Sequence, residues 1–125
     1  MAVVSIPGLA PNGALMQLEA LKARMGDGPW SVRIVENETT WANLHCQLPG
    51  QGNTAHYHAE PEWWVVIEGE LEWSLGGQEY VRAKRGDIVY AGPNVSHHIR
   101  VVGDGPSLRL AIGSPNRSHH PSQGA

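Results

Sequence analysis

Gly50-Gln51-Gly52-Asn53-Thr54-Ala55-His56-Tyr57-His58-Ala59-Glu60-Pro61-Glu62-Trp63-Trp64-Val65-Val66-Ile67-Glu68-Gly69 is the stretch on which the fold and the chemistry both turn. Two histidines stand one residue apart, a carboxylate follows four residues after the second, and His97 lies beyond a later Gly-containing turn. On a strand, alternation sends His56 and His58 to one face and Tyr57 to the other. Facing positions on adjacent strands of a closed sheet can converge on one interior point. Three imidazoles and one carboxylate are the donor mixture that suits a first-row divalent metal.

Around this stretch the chain reads as short strands. Residues 30–35 and 41–48 form extended runs, and 62–68 is apolar on both faces, the pattern of a strand buried on both sides. Residues 70–75 alternate strictly, with Leu71, Trp73 and Leu75 on one face. Gly76-Gly77 then signals a hairpin into 78–84, and further strands are expected at 87–91, 97–102 and 107–112. About eight short strands with Gly turns at near-even spacing predict an all-β closed barrel or double-sheet jelly roll. The chain divides into an arm and helix at 1–29, a barrel at 30–113 and a polar, frayed tail at 114–125. The helix spans 12–25, with Asn12 as its cap and Leu15, Leu18, Leu21 and Met25 near one stripe. Its expected role is to cover an edge of the main body.

Composition narrows the function classes. The chain has 125 residues, a formal net charge of -3 and 41% hydrophobic residues, which fits one globular core and offers no basic face for nucleic acid. Cys46 is the single cysteine, so no intrachain disulfide is possible and a reducing compartment is comfortable. The first residues lack the basic and apolar regions of a signal peptide, and no apolar run approaches the ~18 residues of a spanning helix. These features predict a cytoplasmic protein.

The first motif of the cupin superfamily, commonly written G-x5-H-x-H-x3,4-E-x6-G, is matched at every fixed position by Gly50, His56, His58, Glu62 and Gly69, and here the chain resembles that superfamily. Its second motif, G-x5-P-x-G-x2-H-x3-N, is met in part. Gly86 and His97 match, while Gly92 holds the proline position, Asn94 the inner glycine and Val101 the final asparagine. Asn94 tolerates a left-handed turn almost as glycine does. The resemblance covers about residues 41–110 and implies a six-to-eight-stranded double-stranded β-helix in a small single-domain protein. By carry-over it implies His56, His58, Glu62 and His97 as metal ligands.

Several neighbours compete for these roles. Glu60 suits the spacing less well than Glu62, and alternation turns His98 outward where His97 turns in. His45 reads as a packed histidine in preference to a group behind the site, Cys46 as a small core residue, and His119-His120 as part of the solvated tail. Trp64 and Val66 share the inward face with Glu62, which puts Trp64 in the pocket wall beside the metal, with plain core packing as the equal alternative. Some small lyases of the superfamily carry a tyrosine base just after the glutamate ligand. Trp64 stands there in this chain, so a tyrosine base would have to be Tyr57, Tyr80 or Tyr90. Arg33, Arg100 and Arg109 lie in strand-like segments; one of them pointing inward would suit a carboxylate-bearing substrate, although a solvated outer face is the default for each.

Four protein ligands saturate a tetrahedral Zn²⁺, whereas an octahedral Fe²⁺, Mn²⁺, Ni²⁺ or Co²⁺ keeps two open positions. The leading expectation is an Fe²⁺-dependent, dioxygenase-like oxidoreductase for a small organic molecule, with Glu62, Trp64, Tyr57 and Tyr90 as the candidate catalytic residues. The alternatives are a metal-assisted isomerase, decarboxylase or lyase, and a non-catalytic binding domain. A homodimer is expected, with Trp63, Trp73 and the N-terminal arm as its apolar surface.

Overall fold

In a computed structural model, residues 3–5, 15–115 and 119–121 are described, the first and last of these segments by their backbone pairing alone. In chain order the elements are β1 (Val3–Ser5), α1 (Leu18–Met25), β2 (Trp30–Glu36), β3 (Trp41–Gln47), β4 (His56–His58), β5 (Glu62–Glu68), β6 (Glu70–Leu75), β7 (Val81–Lys84), β8 (Ile88–Ala91), β9 (His97–Val102), β10 (Ser107–Gly113) and β11 (His119–Pro121). They form two sheets, ordered β1-β2-β3-β10-β5-β8 and β11-β4-β9-β6-β7. The pairings are antiparallel except β1 with β2, which is parallel. This is the double-stranded β-helix expected from the sequence.

Alternation within each strand sorts side chains into two cores. Trp64, Val66, Leu71, Trp73, Ile99, Val101 and Ala111 fill the space between the sheets. The other face of the six-stranded sheet offers Trp30, Val32, Leu44, Cys46 and Leu108, which α1 covers with Leu21 and its neighbours. The helix thus shields a sheet face, not an edge as expected. It is also shorter than the span 12–25: Gln17 is extended at φ −90 and ψ 105, and helix begins at Leu18. A two-turn helix draws its stability from packing, and Leu18, Leu21 and Met25 are the residues that meet the sheet. The expected cap, Asn12, lies outside the described residues.

Strand 62–68 is not buried on both faces. Glu62, Trp64 and Val66 are buried, while Trp63 is 49% exposed and packs in a tilted pair against Tyr90 with ring centroids 4.6 Å apart. Trp73 is 1% exposed, which removes it from any docking surface. The tail is not simply frayed either, because β11 pairs His119 with His58 and Pro121 with His56. Among the described residues, no helix is long and apolar enough to cross a membrane.

Glycines act where the backbone must turn or crowd. Gly76 and Gly77 take φ of 64 and 72, the paired left-handed conformation of a tight hairpin turn between β6 and β7. Gly69, at φ 78, carries the chain from one sheet to the other, and a Cβ there would sit 2.6 Å from the Pro106 carbonyl oxygen. Gly52 lies flat against β9, where a Cβ would approach the Ile99 carbonyl oxygen to 1.9 Å. Gly52→Ala is therefore expected to cost at least about 2 kcal/mol, against about 1 kcal/mol for the open turn site Gly76→Ala. Urea unfolding of the two variants checks the order, and equal losses would contradict the close packing of residues 48–55 on β9.

Candidate metal centre

Three separate devices bring four side chains together. His56 and His58 leave β4 on one face, and His56 pairs directly with His97 of β9. Glu62 opens β5 after the Glu60-Pro61 turn, in register with Gly113 of β10 and Ala91 of β8. Asn94, at φ 61, makes the turn before His97, and its backbone N–H donates to the His58 carbonyl oxygen at 2.7 Å. The left-handed tolerance expected of Asn94 is thus used in the fold. Asn53 clamps the preceding loop to β9, its side-chain oxygen accepting from Ile99 N–H at 2.6 Å.

One donor atom from each of His56, His58, Glu62 and His97 lies within 4.8 Å of the others. Every imidazole is oriented by a nearby backbone carbonyl: His56 Nδ1 to Thr54 at 2.7 Å, His58 Nδ1 to Glu60 at 2.6 Å and His97 Nδ1 to Val95 at 3.1 Å. A carbonyl oxygen only accepts, so Nδ1 carries the proton in each ring and a neutral ring keeps its lone pair on Nε2. Those Nε2 atoms face the same point. His56 and His97 Nε2 are 2.9 Å apart, and Glu62 Oε1 lies 3.2 Å from His58 Nε2 and 3.6 Å from His97 Nε2. Acceptors turned on one another require a proton or a cation between them. The set fits a divalent ion, which three neutral imidazoles and one carboxylate leave with a net charge of +1.

Burial and charge treat the rings differently. The Glu62 carboxylate raises the His58 pKa above its ordinary 6.5, while burial lowers that of His97 to about 4. His58 and His97 are sealed in, at 2% and 1% exposed. His56 and Glu62 instead border a cavity of about 550 Å³ between the sheets.

The opposite wall of that cavity is polar, and this was the part least visible in the sequence. Successive cross-strand rows place Ser31, His45, Arg109 and Val66 in one line, and Arg33, Asn43, Ala111 and Trp64 in the next. Arg33, Asn43, His45, Gln47 and Arg109 line the cavity, with Trp64 on its inner side. His45 does more than pack: its Nδ1 lies 2.7 Å from Ser31 Oγ, and burial with the Arg109 and Arg33 charges pushes its pKa down to about 3. Two of the three arginines face inward, against the solvated default. The signal that could have found them is the polar odd-numbered face Asn43, His45 and Gln47 of β3, opposite an apolar even-numbered face.

Other candidates fall elsewhere. Trp64 lies 5.0 Å from the His97 ring and 5.7 Å from Trp73, so it is both pocket wall and core. Tyr57 is half-buried on the strand face opposite His56 and His58. Tyr90 is on the outer face, packed in a tilted pair against Trp63 and not among the cavity-lining residues. Tyr80 hydrogen-bonds His98 at 2.5 Å beneath the Arg100 guanidinium, so Arg100 belongs to that outer cluster too. Cys46 is buried under α1, as expected of a core cysteine.

A model of the cupin domain matches residues 43–113, more than half the chain, and the protein belongs to that family. Among solved structures, it resembles an uncharacterized double-stranded β-helix protein from Klebsiella pneumoniae at 25% identity and TM-score 0.67, over 73% of this chain and 81% of that one. TT1209 from Thermus thermophilus aligns at 23% identity and TM-score 0.70, over 81% and 96% of the two chains. KdgF from Halomonas sp. aligns at 24% identity and TM-score 0.63, over 70% and 79%. No functionally curated protein matches the chain.

The pKa directions set two opposite slopes for the metal-free protein. His58, raised, contributes stability that is fully present below 6.5 and lost as pH rises through its folded value. His97 and His45, lowered, contribute stability present above 6.5 and lost as pH falls toward 4 and 3. Metal-free protein is expected to melt highest near pH 6.5, and added divalent metal should lift the alkaline side most. Thermal melts from pH 4 to 9 with and without Mn²⁺ check this; parallel curves would contradict it.

Proposed function

We propose that this cupin is a metal-dependent enzyme acting on a small organic molecule held in the 550 Å³ cavity. The observation that carries the reading is the lopsided exposure of the donor cluster. His58 and His97 close it off on one side, while His56 and Glu62 open onto the cavity. A purely structural ion is enclosed by its ligands, whereas a catalytic one keeps open positions.

When bound there, an octahedral divalent ion would supply two exchangeable positions for substrate and a second ligand such as water or O₂. The chain's own residues do the remaining work. Glu62 and the three Nε2 atoms hold the donor geometry, and backbone carbonyls keep the rings from rotating. Trp64 closes the inner wall, and Asn43, His45 and Gln47 offer hydrogen bonds to polar parts of the substrate.

The first reading is an Fe²⁺-dependent, dioxygenase-like oxidoreductase. It is supported by where the groups suited to proton transfer lie, since none of Tyr57, Tyr80 and Tyr90 is among the cavity-lining residues. His45 is a weak base at about 3, Tyr80 and Tyr90 lie on the outer face, and Tyr57 is on the strand face opposite the donors. Efficient general bases titrate near the working pH. The second reading, metal-assisted isomerisation, decarboxylation or elimination, is favoured by the inward Arg33 and Arg109, which would stabilise developing negative charge. A homodimer remains part of this proposal, with Trp63, Ile88 and Tyr90 as the exposed apolar surface.

Metal content by elemental analysis should approach one ion per chain in the wild type and fall at least tenfold in His56→Ala. Aerobic oxygen uptake with Fe²⁺ against a panel of small acids and diketones is the expected activity. Turnover under argon with Mn²⁺ or Ni²⁺, without oxygen uptake, would select the second reading. Full metal occupancy in His56→Ala would remove the proposed centre.

A further inference from the structure

Among the described residues, Arg109 is the most anomalous side chain. It is 4% exposed, lines the cavity, and has no carboxylate within ion-pair distance among the described residues. One of its terminal nitrogens donates to Gln47 Oε1 at 2.6 Å, and its Nε, buried, has no hydrogen-bond partner. Burying a charge without a counter-charge is costly, and a half-used planar fork of donors is costlier still. Gln47 is itself fixed, its Nε2 donating to the Gly52 carbonyl at 3.0 Å, so the fork is held in place.

Its surroundings hold charges of both signs, since Arg33, Glu36 and Glu62 line the same cavity. Arg33, one cross-strand row away on the same wall, donates to Asn43 Oδ1 at 2.8 Å and to Glu36 Oε1 at 2.9 Å. The Glu62 carboxylate acts on Arg109 through its charge alone, and it belongs to the donor cluster two rows further along β5. His45, between Ser31 and Arg109 in the same row, is kept neutral by burial first and by the Arg109 and Arg33 charges second. With Glu36 paired to Arg33 and Glu62 committed to the donor cluster, Arg109 is left without an anion in contact.

We propose that the cavity takes a small organic carboxylate whose carboxyl group docks on Arg109, flanked by Gln47 and His45, while an oxygen donor at its other end reaches the His56–Glu62 side. The planar, two-oxygen shape of a carboxylate matches the guanidinium fork. The inference rests on the metal-centre reading for the far end of the ligand alone; the Arg109 end stands without it.

The test uses the whole chain and defined probes: succinate, glutarate and adipate, their diamides, and propylphosphonate. Dissociation constants are measured by calorimetry, with melting temperatures in parallel, on EDTA-treated and Mn²⁺-loaded protein. Carboxylates are expected to bind at least tenfold more tightly than the diamides in both states, with a preferred chain length appearing once Mn²⁺ is present. Arg109→Met should erase the carboxylate preference while melting no lower than the wild type without ligand, because an unpaired buried charge is removed. Arg109→Lys, which keeps charge but not the fork, should lose about tenfold and serves if Arg109→Met fails to fold.

Equal binding of acids and diamides by the wild type, or an undiminished preference in the Arg109 variants, overturns the assignment. Equal or tighter binding of propylphosphonate overturns the choice of carboxylate. Carboxylate preference without any Mn²⁺ uptake would sink the metal reading and leave this one standing. Mn²⁺ uptake without that preference does the reverse.

Discussion

Everything in the site follows from lone pairs being made to face one another. Three backbone carbonyls take the Nδ1 protons of His56, His58 and His97, so their Nε2 atoms must present unshared electrons to a common point beside Glu62. An acceptor 2.9 Å from another acceptor is repulsive in a dry interior and becomes favourable once a cation stands between them. The barrel supplies the rigidity that keeps the arrangement from relaxing: β4 and β9 are joined at His56 and His97, and the Asn94 turn is tied to the His58 carbonyl.

The two sheets divide the labour of stability and chemistry. The outer face of the six-stranded sheet carries an apolar layer under α1, with Leu44 and Val32 fully buried. That layer frees the inner face of β2, β3 and β10 to carry Ser31, Arg33, Asn43, His45, Gln47 and Arg109 without loss of a hydrophobic core. A short helix packed on one side thus permits a polar cavity on the other. The second core, built on Trp64, Trp73, Leu71 and Ile99, fills the rest of the space between the sheets and braces His97 through Trp64.

Much of this is legible in the sequence. The parity of β5 was readable because alternation is local: Glu62, Trp64 and Val66 turn inward together and Trp63 turns out. The Gly76-Gly77 hairpin was readable because left-handed backbone at consecutive positions strongly favours glycine. The extent of α1 was not, because a two-turn helix exists only where its sheet contact begins. Nor were the pairing of β11 with β4 or the burial of Trp73, which depend on which neighbours the chain meets after closing.

The sequence by itself determined the donor set and the strand pattern, since spacing within one strand and between Gly turns is a property of nearby residues. Only the tertiary structure decided that Arg33, His45 and Arg109 share a cavity with His56 and Glu62, and that Tyr80 and Tyr90 do not. Which of two faces a polar strand turns toward the barrel depends on what covers the other face. For β3 that cover is α1, packed over Leu44 and Cys46 from more than fifteen residues earlier in the chain.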